Sequence, residues 1–226
     1  MTKAKGNMYE GVDWTHNVIK GICPHGCSYC YMSRLRKHYP KVHDKPLHFD
    51  EKALSSWKNK GTVFIGNSCD MWADNVPDDW VLAVLIQCRA YPENKYLFQT
   101  KNPQRYWYFE SDLPKNCVIG ATVETNKNYG YMGNTPSPID RTIPIGTLYP
   151  RTRFITIEPI LSFDMDEFLR MLKSAKPDWI NIGADSGNNH LPEPEPDKIR
   201  ELIKELEKFA KIHLKKNLKR LLPEVI

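Results

Sequence analysis

The sequence predicts an α/β fold in which short strands alternate with helices. Five apolar runs suit strands that are buried on both faces of a parallel sheet, and they span residues 62–66, 95–100, 117–123, 153–157 and 179–183. An earlier strand is expected at residues 13–19. A full eight-fold barrel needs roughly 250 residues, and the chain has 226. The prediction is therefore an open six-stranded barrel or a doubly wound sheet, with right-handed connections.

Helices are expected between several of these strands, because apolar side chains recur there at helical spacing. The periodic segments are residues 80–90, 164–174 and 198–211. Asn102 followed by Pro103 is typical of a further helix start, and Asp197 is expected to cap the last helix. The proline-rich run before Asp197 is interpreted as a stiff surface connection. We expect a single domain over residues 1–226, with a basic helix and edge element at about 198–226.

Composition limits the class of protein. With 41% hydrophobic and 26% charged residues, the chain has enough apolar material for a packed core. It contains no apolar run of about eighteen residues, and its N-terminal stretch lacks the apolar region of a secretory signal. We therefore expect a cytoplasmic protein with no membrane-spanning helix and with reduced cysteines.

The net charge of +5 is concentrated at the two ends of the chain. Residues 1–50 carry +4 (eight basic, four acidic), residues 51–200 carry −2, and residues 201–226 carry +3 (seven basic, four acidic). Such ends suit an anionic partner such as nucleic acid, although they are equally compatible with solvated surfaces. The N-terminal basic cluster comprises Arg34, Arg36, Lys37 and Lys41.

Three of the six cysteines lie within eight residues, at Cys23, Cys27 and Cys30, in the spacing CxxxCxxC. Three thiolates on a short loop can hold three corners of a [4Fe–4S] cube and leave the fourth iron open to a ligand. Two alternatives remain open. Zinc could use these cysteines with His25 or a distant histidine, and Cys27 with Cys30 could form a redox dithiol.

Polar or reactive side chains follow the predicted strands, at the edge where α/β folds bind ligands. Carboxylates at strand ends are more frequent than six random loops would supply, which favours an enzyme. The candidate site residues are Ser68, Cys69, Asp70, Thr100, Lys101, Thr122, Glu124, Glu158 and Asp185.

The cysteine loop, with Tyr29 before its last cysteine, resembles the signature of the radical S-adenosylmethionine superfamily. Further stretches resemble the phage-type Gp37/Gp68 family, also called DUF5131 or three-Cys-motif proteins. In chain order they are residues 14–18 (WTHNV), 98–103 (FQTKNP), 122–124 (TVE), 157–161 (IEPIL), 181–187 (NIGADSG) and 213–217 (HLKKN). Two departures occur. Residues 66–70 (GNSCD) replace the superfamily's GGE motif, and Ala184 and Asp185 replace the second glycine and the glutamate of the family's GGESG stretch.

The resemblance implies a (β/α)6 partial TIM barrel of the radical S-adenosylmethionine type. It implies an enzyme that binds a [4Fe–4S] cluster and S-adenosylmethionine, and that receives electrons from a flavodoxin- or ferredoxin-like partner. In the superfamily, the reduced cluster cleaves S-adenosylmethionine, and the resulting 5′-deoxyadenosyl radical abstracts a hydrogen atom from the substrate.

The substrate is not implied by the resemblance. Charge weakly favours a nucleic acid or nucleotide, and a small molecule or peptide is the alternative. The alternative from a different class is a non-catalytic iron–sulfur or zinc-binding protein.

The resemblance also implies roles for single residues. Cys23, Cys27 and Cys30 would ligate iron, and Tyr29 would pack near the adenine unless it is an ordinary core aromatic. Cys69 would donate a hydrogen atom to a product radical, as cysteine does in related lyases of the superfamily, or is a buried apolar residue.

The other candidates are expected around the cofactor. Ser68 and Asp70 stand where the methionine amine is held, or cap the next helix. The remaining expected cofactor ligands are Thr100, Lys101, Thr122, Glu124, Glu158 and Asp185. For the carboxylate at position 158, an ion pair with Lys101 or Arg153 is the structural alternative.

Overall fold

A computed structural model describes residues 1–6, 8–57 and 61–224. Its strands are β1 (Thr2–Lys3), β2 (Trp14–His16), β3 (Ile19–Lys20), β4 (His48–Phe49), β5 (Thr62–Ile65), β6 (Lys95–Thr100), β7 (Cys117–Thr122), β8 (Arg153–Ile157), β9 (Trp179–Ile182) and β10 (Lys211–Leu214). Its α-helices are α1 (Tyr31–His38), α2 (Pro40–His43), α3 (Glu51–Leu54), α4 (Asp78–Ala90), α5 (Arg105–Tyr108), α6 (Pro138–Thr147), α7 (Met165–Ser174) and α8 (Pro196–Leu206). Two 3₁₀ turns lie at Gly130–Met132 and Lys216–Arg220.

The main sheet has the strand order β1-β2-β5-β6-β7-β8-β9-β10. All neighbours from β2 to β10 are parallel, and β1 pairs antiparallel with β2. The order follows the chain, without the reversal that a doubly wound sheet requires. The six predicted strands are confirmed, and β10 extends the sheet by one parallel strand. The sheet is therefore an open partial barrel.

The two faces of the sheet have different partners. Val63 and Ile65 of β5 join a large core with side chains of the helices, whereas Phe64 between them points to the other face. This alternation follows from the two-residue period of a strand. On the inner face, Phe64 belongs to a small cluster with Leu97, Val118 and Phe154.

The segment before β2 covers part of this inner face. The Tyr9 ring lies 5.9 Å from the rings of both Phe64 and Phe154. Gly120 makes room for this packing, because a Cβ at Gly120 would lie 2.3 Å from the Phe154 ring. The inner face thus has an aromatic floor below the carboxyl ends of the strands.

Some helix predictions need correction. The helix expected at 198–211 ends at Leu206, because residues 211–214 form β10. Its N-cap is Glu195 rather than Asp197, and Pro196 occupies the first turn. Asn102 does not start α5, since its amide donates to the Trp72 carbonyl at 3.1 Å instead. Helices α1 and α6 were not predicted.

Within the described ranges, none of the helices has the length and apolar character needed to span a bilayer. Residues 225 and 226 of the expected C-terminal element lie outside the described residues. That the whole chain forms one domain stays a prediction.

Candidate active site

A cavity of about 570 Å³ lies at the carboxyl ends of the central strands. It brings together most of the residues that the sequence predicts for the site. Twelve of them line it, namely Cys23, Cys27, Tyr29, Cys30, Ser68, Cys69, Asp70, Thr100, Lys101, Thr122, Glu158 and Asp185. The exception is Glu124, which lies behind the cavity wall.

The three cysteines of the CxxxCxxC loop are free thiols that face this cavity. Gly26 adopts a left-handed backbone (φ +64°), which lets the loop turn between Cys23 and Cys27. Cys30 is the N-cap residue of α1. The loop therefore presents its thiols to a common space.

Cys69 lies beside this loop. A hydrogen bond from the Cys69 thiol lowers the pKa of Cys23 to about 6, and the same contact with burial raises the pKa of Cys69. Burial also raises the pKa of Cys27, whose thiol donates to the Met132 carbonyl at 3.1 Å. Cys69 thus keeps its proton next to a residue that loses one readily.

His25 connects the loop to β5. Its Nε2 lies 2.9 Å from Asp70 Oδ2 and its Nδ1 lies 3.1 Å from the Asn134 carbonyl. Both partners accept hydrogen bonds, so both ring nitrogens carry protons. Burial opposes this charge, but the Asp70 carboxylate outweighs it and raises the pKa of His25. Neither ring nitrogen is left to bind a metal.

Asp70 braces the ends of two strands. Its carboxylate accepts from Thr100 Oγ1 at 2.8 Å and from the main-chain N–H of Lys101 at 2.9 Å, in addition to His25. A fourth bond comes from the Trp72 N–H at 3.0 Å. Burial alone would raise the pKa of Asp70, but the charge on His25 and these bonds lower it. The carboxylate thus accepts four bonds from the protein, three at Oδ2 and one at Oδ1, and holds the segment after β5 against the end of β6.

Lys101 and Glu124 form a buried ion pair beside the cysteines. Lys101 Nζ lies 2.5 Å from Glu124 Oε1, and Arg141 Nη1 lies 2.7 Å from the other carboxylate oxygen. The Tyr29 hydroxyl donates to Glu124 as well. Burial would raise the pKa of Glu124, but the two cations outweigh it and hold that pKa at about 2. Glu124 is therefore placed to position Lys101 and Tyr29.

Glu158 pairs with a residue that the sequence analysis did not consider. Lys215 Nζ lies 2.6 Å from Glu158 Oε2, and Asn217 Nδ2 donates to Oε1 at 2.7 Å. The alternative pairing with Lys101 or Arg153 is wrong, because Lys101 turns to Glu124 and Arg153 donates to the Gly146 carbonyl. The Glu158–Lys215 pair lies at the cavity wall.

Three other predicted residues have local partners. Thr122 Oγ1 accepts from Gln99 Nε2 at 2.7 Å, and the Ser68 N–H donates to Asn17 Oδ1 at 3.2 Å. Asp185 accepts from the Gly187 N–H at 2.9 Å, and also bonds the main chain and side chain of Asn189. Asp185 therefore shapes the loop after β9.

Sequence reasoning missed a loop at residues 129–135, here called the clasp loop. Its Tyr131 carbonyl accepts from the Ser28 N–H at 3.0 Å, and its Asn134 N–H donates to the His25 carbonyl at 2.7 Å. Gly133 allows this approach, since a Cβ there would lie 2.0 Å from the His25 carbonyl oxygen. The closely spaced Gly130 and Gly133 were the available signal in the sequence.

The cavity also has a wall that carried no sequence motif. Lys5, Met8 and Tyr9 line it from the N-terminal segment. The Tyr9 hydroxyl donates to Gln99 Oε1 at 2.5 Å, and Lys215 Nζ lies 4.5 Å from the Tyr9 ring centroid. Irregular segments of this kind lack periodicity, so their place over the sheet could not be predicted.

Within the described residues, no three His, Cys, Asp or Glu side chains are gathered closely enough to hold one metal ion. Cys23, Cys27 and Cys30 instead share a larger space. A single zinc ion needs its ligands to converge on one point. The corners of a cubane cluster are further apart, since each thiolate binds a different iron. Three free thiols that line one cavity are the donor type that iron–sulfur clusters use.

A family model described as a protein of unknown function (DUF5131) matches residues 8–210. The chain belongs to the DUF5131 family. No curated protein matches the sequence of this DUF5131 protein significantly. The phage-type Gp37/Gp68 designation stays a prediction from the motifs.

Solved structures resemble the DUF5131 fold. A cysteine-to-serine variant of spore photoproduct lyase aligns with a TM-score of 0.62 at 11% identity, covering 94% of this chain and 80% of the lyase. Another variant of that lyase, with bound AdoMet and dinucleoside spore photoproduct, aligns with a TM-score of 0.61 at 9% identity, covering 92% and 78%. Streptococcus suis SuiB bound to S-adenosylmethionine aligns with a TM-score of 0.57 at 10% identity, covering 94% of this chain and 53% of SuiB.

At these identities the matches show the fold alone. They confirm the predicted (β/α)6 partial TIM barrel of the radical S-adenosylmethionine type for this DUF5131 protein.

Proposed function

We propose that this DUF5131 protein is a radical S-adenosylmethionine enzyme in which Cys23, Cys27 and Cys30 hold a [4Fe–4S] cluster. The main support is that three free thiols line one cavity. This cavity lies at the carboxyl ends of the strands of a radical S-adenosylmethionine-type barrel. When bound, the cluster and S-adenosylmethionine supply a 5′-deoxyadenosyl radical that takes a hydrogen atom from the substrate. A flavodoxin- or ferredoxin-like protein is the proposed source of electrons.

Side chains that line the cavity are placed to position these groups. Ser68, which lines the cavity, is the proposed acceptor for the methionine amine, because the Asp70 carboxylate already accepts four bonds from the protein. Thr122 also lines the cavity and is the proposed contact for the ribose hydroxyls. The Glu158–Lys215 pair and the Tyr9 ring line another part of the cavity, which we assign to the substrate.

Cys69 is proposed as a hydrogen donor to a product radical. It is buried, lies outside the CxxxCxxC motif and lines the same cavity as the three cysteines of that motif. A donor of a hydrogen atom must hold that hydrogen at neutral pH, and a cysteine thiol does so because its ordinary pKa lies above neutral.

The proposed substrate is a nucleic acid or nucleotide. Helices α1 and α2 contain four Lys or Arg residues and no acidic residue. Arg34 of α1 donates to the Ser186 carbonyl at 3.5 Å, and Asn217 in the basic 3₁₀ turn donates to Ser186 Oγ at 2.7 Å. Basic segments therefore flank Ser186 at the cavity. A spore photoproduct lyase structure with a dinucleoside ligand supports this choice.

Anaerobic reconstitution tests the cofactor half of the proposal. Protein loaded with iron and sulfide should retain about four irons per chain and show the visible absorption of a [4Fe–4S] cluster. A stoichiometric zinc content without retained iron would overturn the cluster assignment.

Oligonucleotide binding tests the substrate half. A labelled single strand should bind the reconstituted protein more weakly at about 200 mM than at about 50 mM salt. Arg34→Gln with Lys37→Gln should weaken binding further. The matched control is Arg170→Gln with Lys204→Gln, which removes two exposed cations from α7 and α8. Equal losses in both double variants, or no binding at either salt, would contradict a nucleic-acid substrate.

A further inference from the structure

Lys101 directs one proton at a cysteine of the loop. Its Nζ lies 3.5 Å from Cys27 Sγ, 2.6 Å from the Tyr29 hydroxyl and 2.5 Å from Glu124 Oε1. An ammonium group has three N–H donors. Each donor therefore has one acceptor, and the acceptor for the third is a thiol sulfur.

The ammonium is fixed in this position by the protein. Glu124 is fully buried and its second oxygen is held by Arg141, so the carboxylate cannot turn away. Tyr29 closes the arrangement, because its own hydroxyl donates to Glu124. Lys101 is thus locked beside Cys27 without any contribution from a ligand.

We propose that Lys101 is a positioning residue that raises the reduction potential of the cluster by donating a hydrogen bond to Cys27. The inference rests on the proposed function. Reduction adds one electron from a low-potential donor and takes the cluster from the 2+ to the 1+ state. Negative charge on the ligating sulfur increases, and an N–H donor with a positive charge stabilises it. Hydrogen bonds to the sulfurs are among the factors that set cluster potentials.

The negative charge of Glu124 lowers the reduction potential of the cluster and so opposes the rise caused by Lys101. Its negative charge offsets the charge of Lys101, and its geometry aims the ammonium at sulfur. Removing the carboxylate charge while keeping its shape therefore acts in the opposite direction from removing the ammonium. The two substitutions separate the donor contact from the local net charge.

A redox titration of the reconstituted protein tests the proposal, with dithionite as electron donor and the EPR signal of the reduced cluster as readout. Lys101→Met should lower the reduced-to-oxidised ratio at a fixed solution potential by about tenfold, which corresponds to about 59 mV for one electron. Glu124→Gln should raise the midpoint potential. Lys215→Met, which removes another cavity lysine that pairs with Glu158, should give a smaller shift than Lys101→Met.

The double variant Lys101→Met/Glu124→Gln guards against misfolding, since it leaves no buried carboxylate without its lysine. Its midpoint should still lie below that of the unmodified protein. If the midpoint returned to the unmodified value, the shift in Lys101→Met would be an effect of net charge, and the proposed role of the Lys101–Cys27 hydrogen bond would be wrong. Equal midpoint shifts in Lys101→Met and Lys215→Met would also show that the Lys101–Cys27 hydrogen bond does not set the potential.

The EPR measurement separates the presence of the cluster from the role of Lys101. If the unmodified protein forms no EPR-active cluster, the proposed function is contradicted and the inference with it. If clusters form in all variants with the same midpoint, only the role of Lys101 is contradicted.

Discussion

His25 Nε2 lies 2.9 Å from Asp70 Oδ2, and this contact ties the cysteine loop to the end of β5. The other ring nitrogen bonds the Asn134 carbonyl in the clasp loop. One buried side chain thus holds the CxxxCxxC loop against two separate segments. The loop is positioned by the protein itself, independently of any metal.

Cys27→Ala should abolish cluster assembly and leave the fold intact. The loop is held by His25 and by main-chain bonds, so loss of one thiol should change the melting temperature little. Iron content and far-UV circular dichroism are the measurements. Cys117→Ala, at a buried thiol in β7 outside the cavity, should keep normal iron content. Unfolding of Cys27→Ala would indicate a structural metal.

Gly133→Ala should separate the clasp loop from the cysteine loop. The added Cβ would lie 2.0 Å from the His25 carbonyl oxygen, and the residue has a φ of +72°. The expected loss is about 1–3 kcal/mol of unfolding free energy, together with reduced iron content after reconstitution. Chemical denaturation and iron analysis are the measurements.

Gly130→Ala is the control for this experiment. It lies in the same loop, with no atom within 4 Å of the added Cβ, and should behave like the unmodified protein. Normal iron content in Gly133→Ala would show that the clasp loop does not position the cysteines.

Ser68→Ala should weaken S-adenosylmethionine binding by about tenfold, the value of one hydrogen bond to a charged group. Iron content should not change, because Ser68 is not a candidate iron ligand. Calorimetric titration of the reconstituted protein measures the affinity. Ser28→Ala, at an exposed position of the cysteine loop, is the matched control. Equal affinities in both variants would remove Ser68 from the cofactor site.

The sheet, and most of the residues that line the cavity, were predictable from the sequence. Continuous apolar runs identified the strands of the barrel, and polar residues after them mark the edge where the cavity lies. The partners were not predictable. The sequence leaves Lys101 open as a partner of Glu158, yet Lys101 pairs with Glu124, because the choice among nearby charges depends on side-chain direction.

Long-range contacts of irregular segments were equally inaccessible. The clasp loop and the Tyr9 segment have neither helical nor strand periodicity, and their partners are distant in sequence. Arg141 was missed for a related reason, since it lies in α6, a proline-containing helix, yet is completely buried against Glu124. Nothing in the local pattern marks such an arginine as an interior residue.

The stability of the protein should fall as the pH drops from about 6.5 to about 4, in part because of His16. Burial is the main cause that lowers the pKa of His16 to about 4, and its Nε2 lies 3.0 Å from the Ala53 carbonyl. Above the unfolded-state pKa both states are neutral at this site. Between about 6.5 and about 4 the unfolded chain is protonated at His16 while the folded protein is not, so the free energy of unfolding falls.

The expected loss from His16 is about 3 kcal/mol across this window. Urea unfolding of the metal-free protein at several pH values measures it. His16→Gln keeps an N–H donor for Ala53 and cannot titrate, so its stability should decline less over the same range. An identical decline in both proteins would exclude His16 as a source of the acid sensitivity.

Reductive cleavage of S-adenosylmethionine distinguishes a radical S-adenosylmethionine enzyme from a protein that only binds a metal or a cluster. The protein is reconstituted anaerobically with iron and sulfide, reduced with dithionite and incubated with S-adenosylmethionine, and 5′-deoxyadenosine is quantified by chromatography. We expect 5′-deoxyadenosine to form with the unmodified protein and to be absent from the Cys23→Ala, Cys27→Ala and Cys30→Ala variants. Absence of the nucleoside from a protein that holds a complete, reducible cluster would contradict the proposed function.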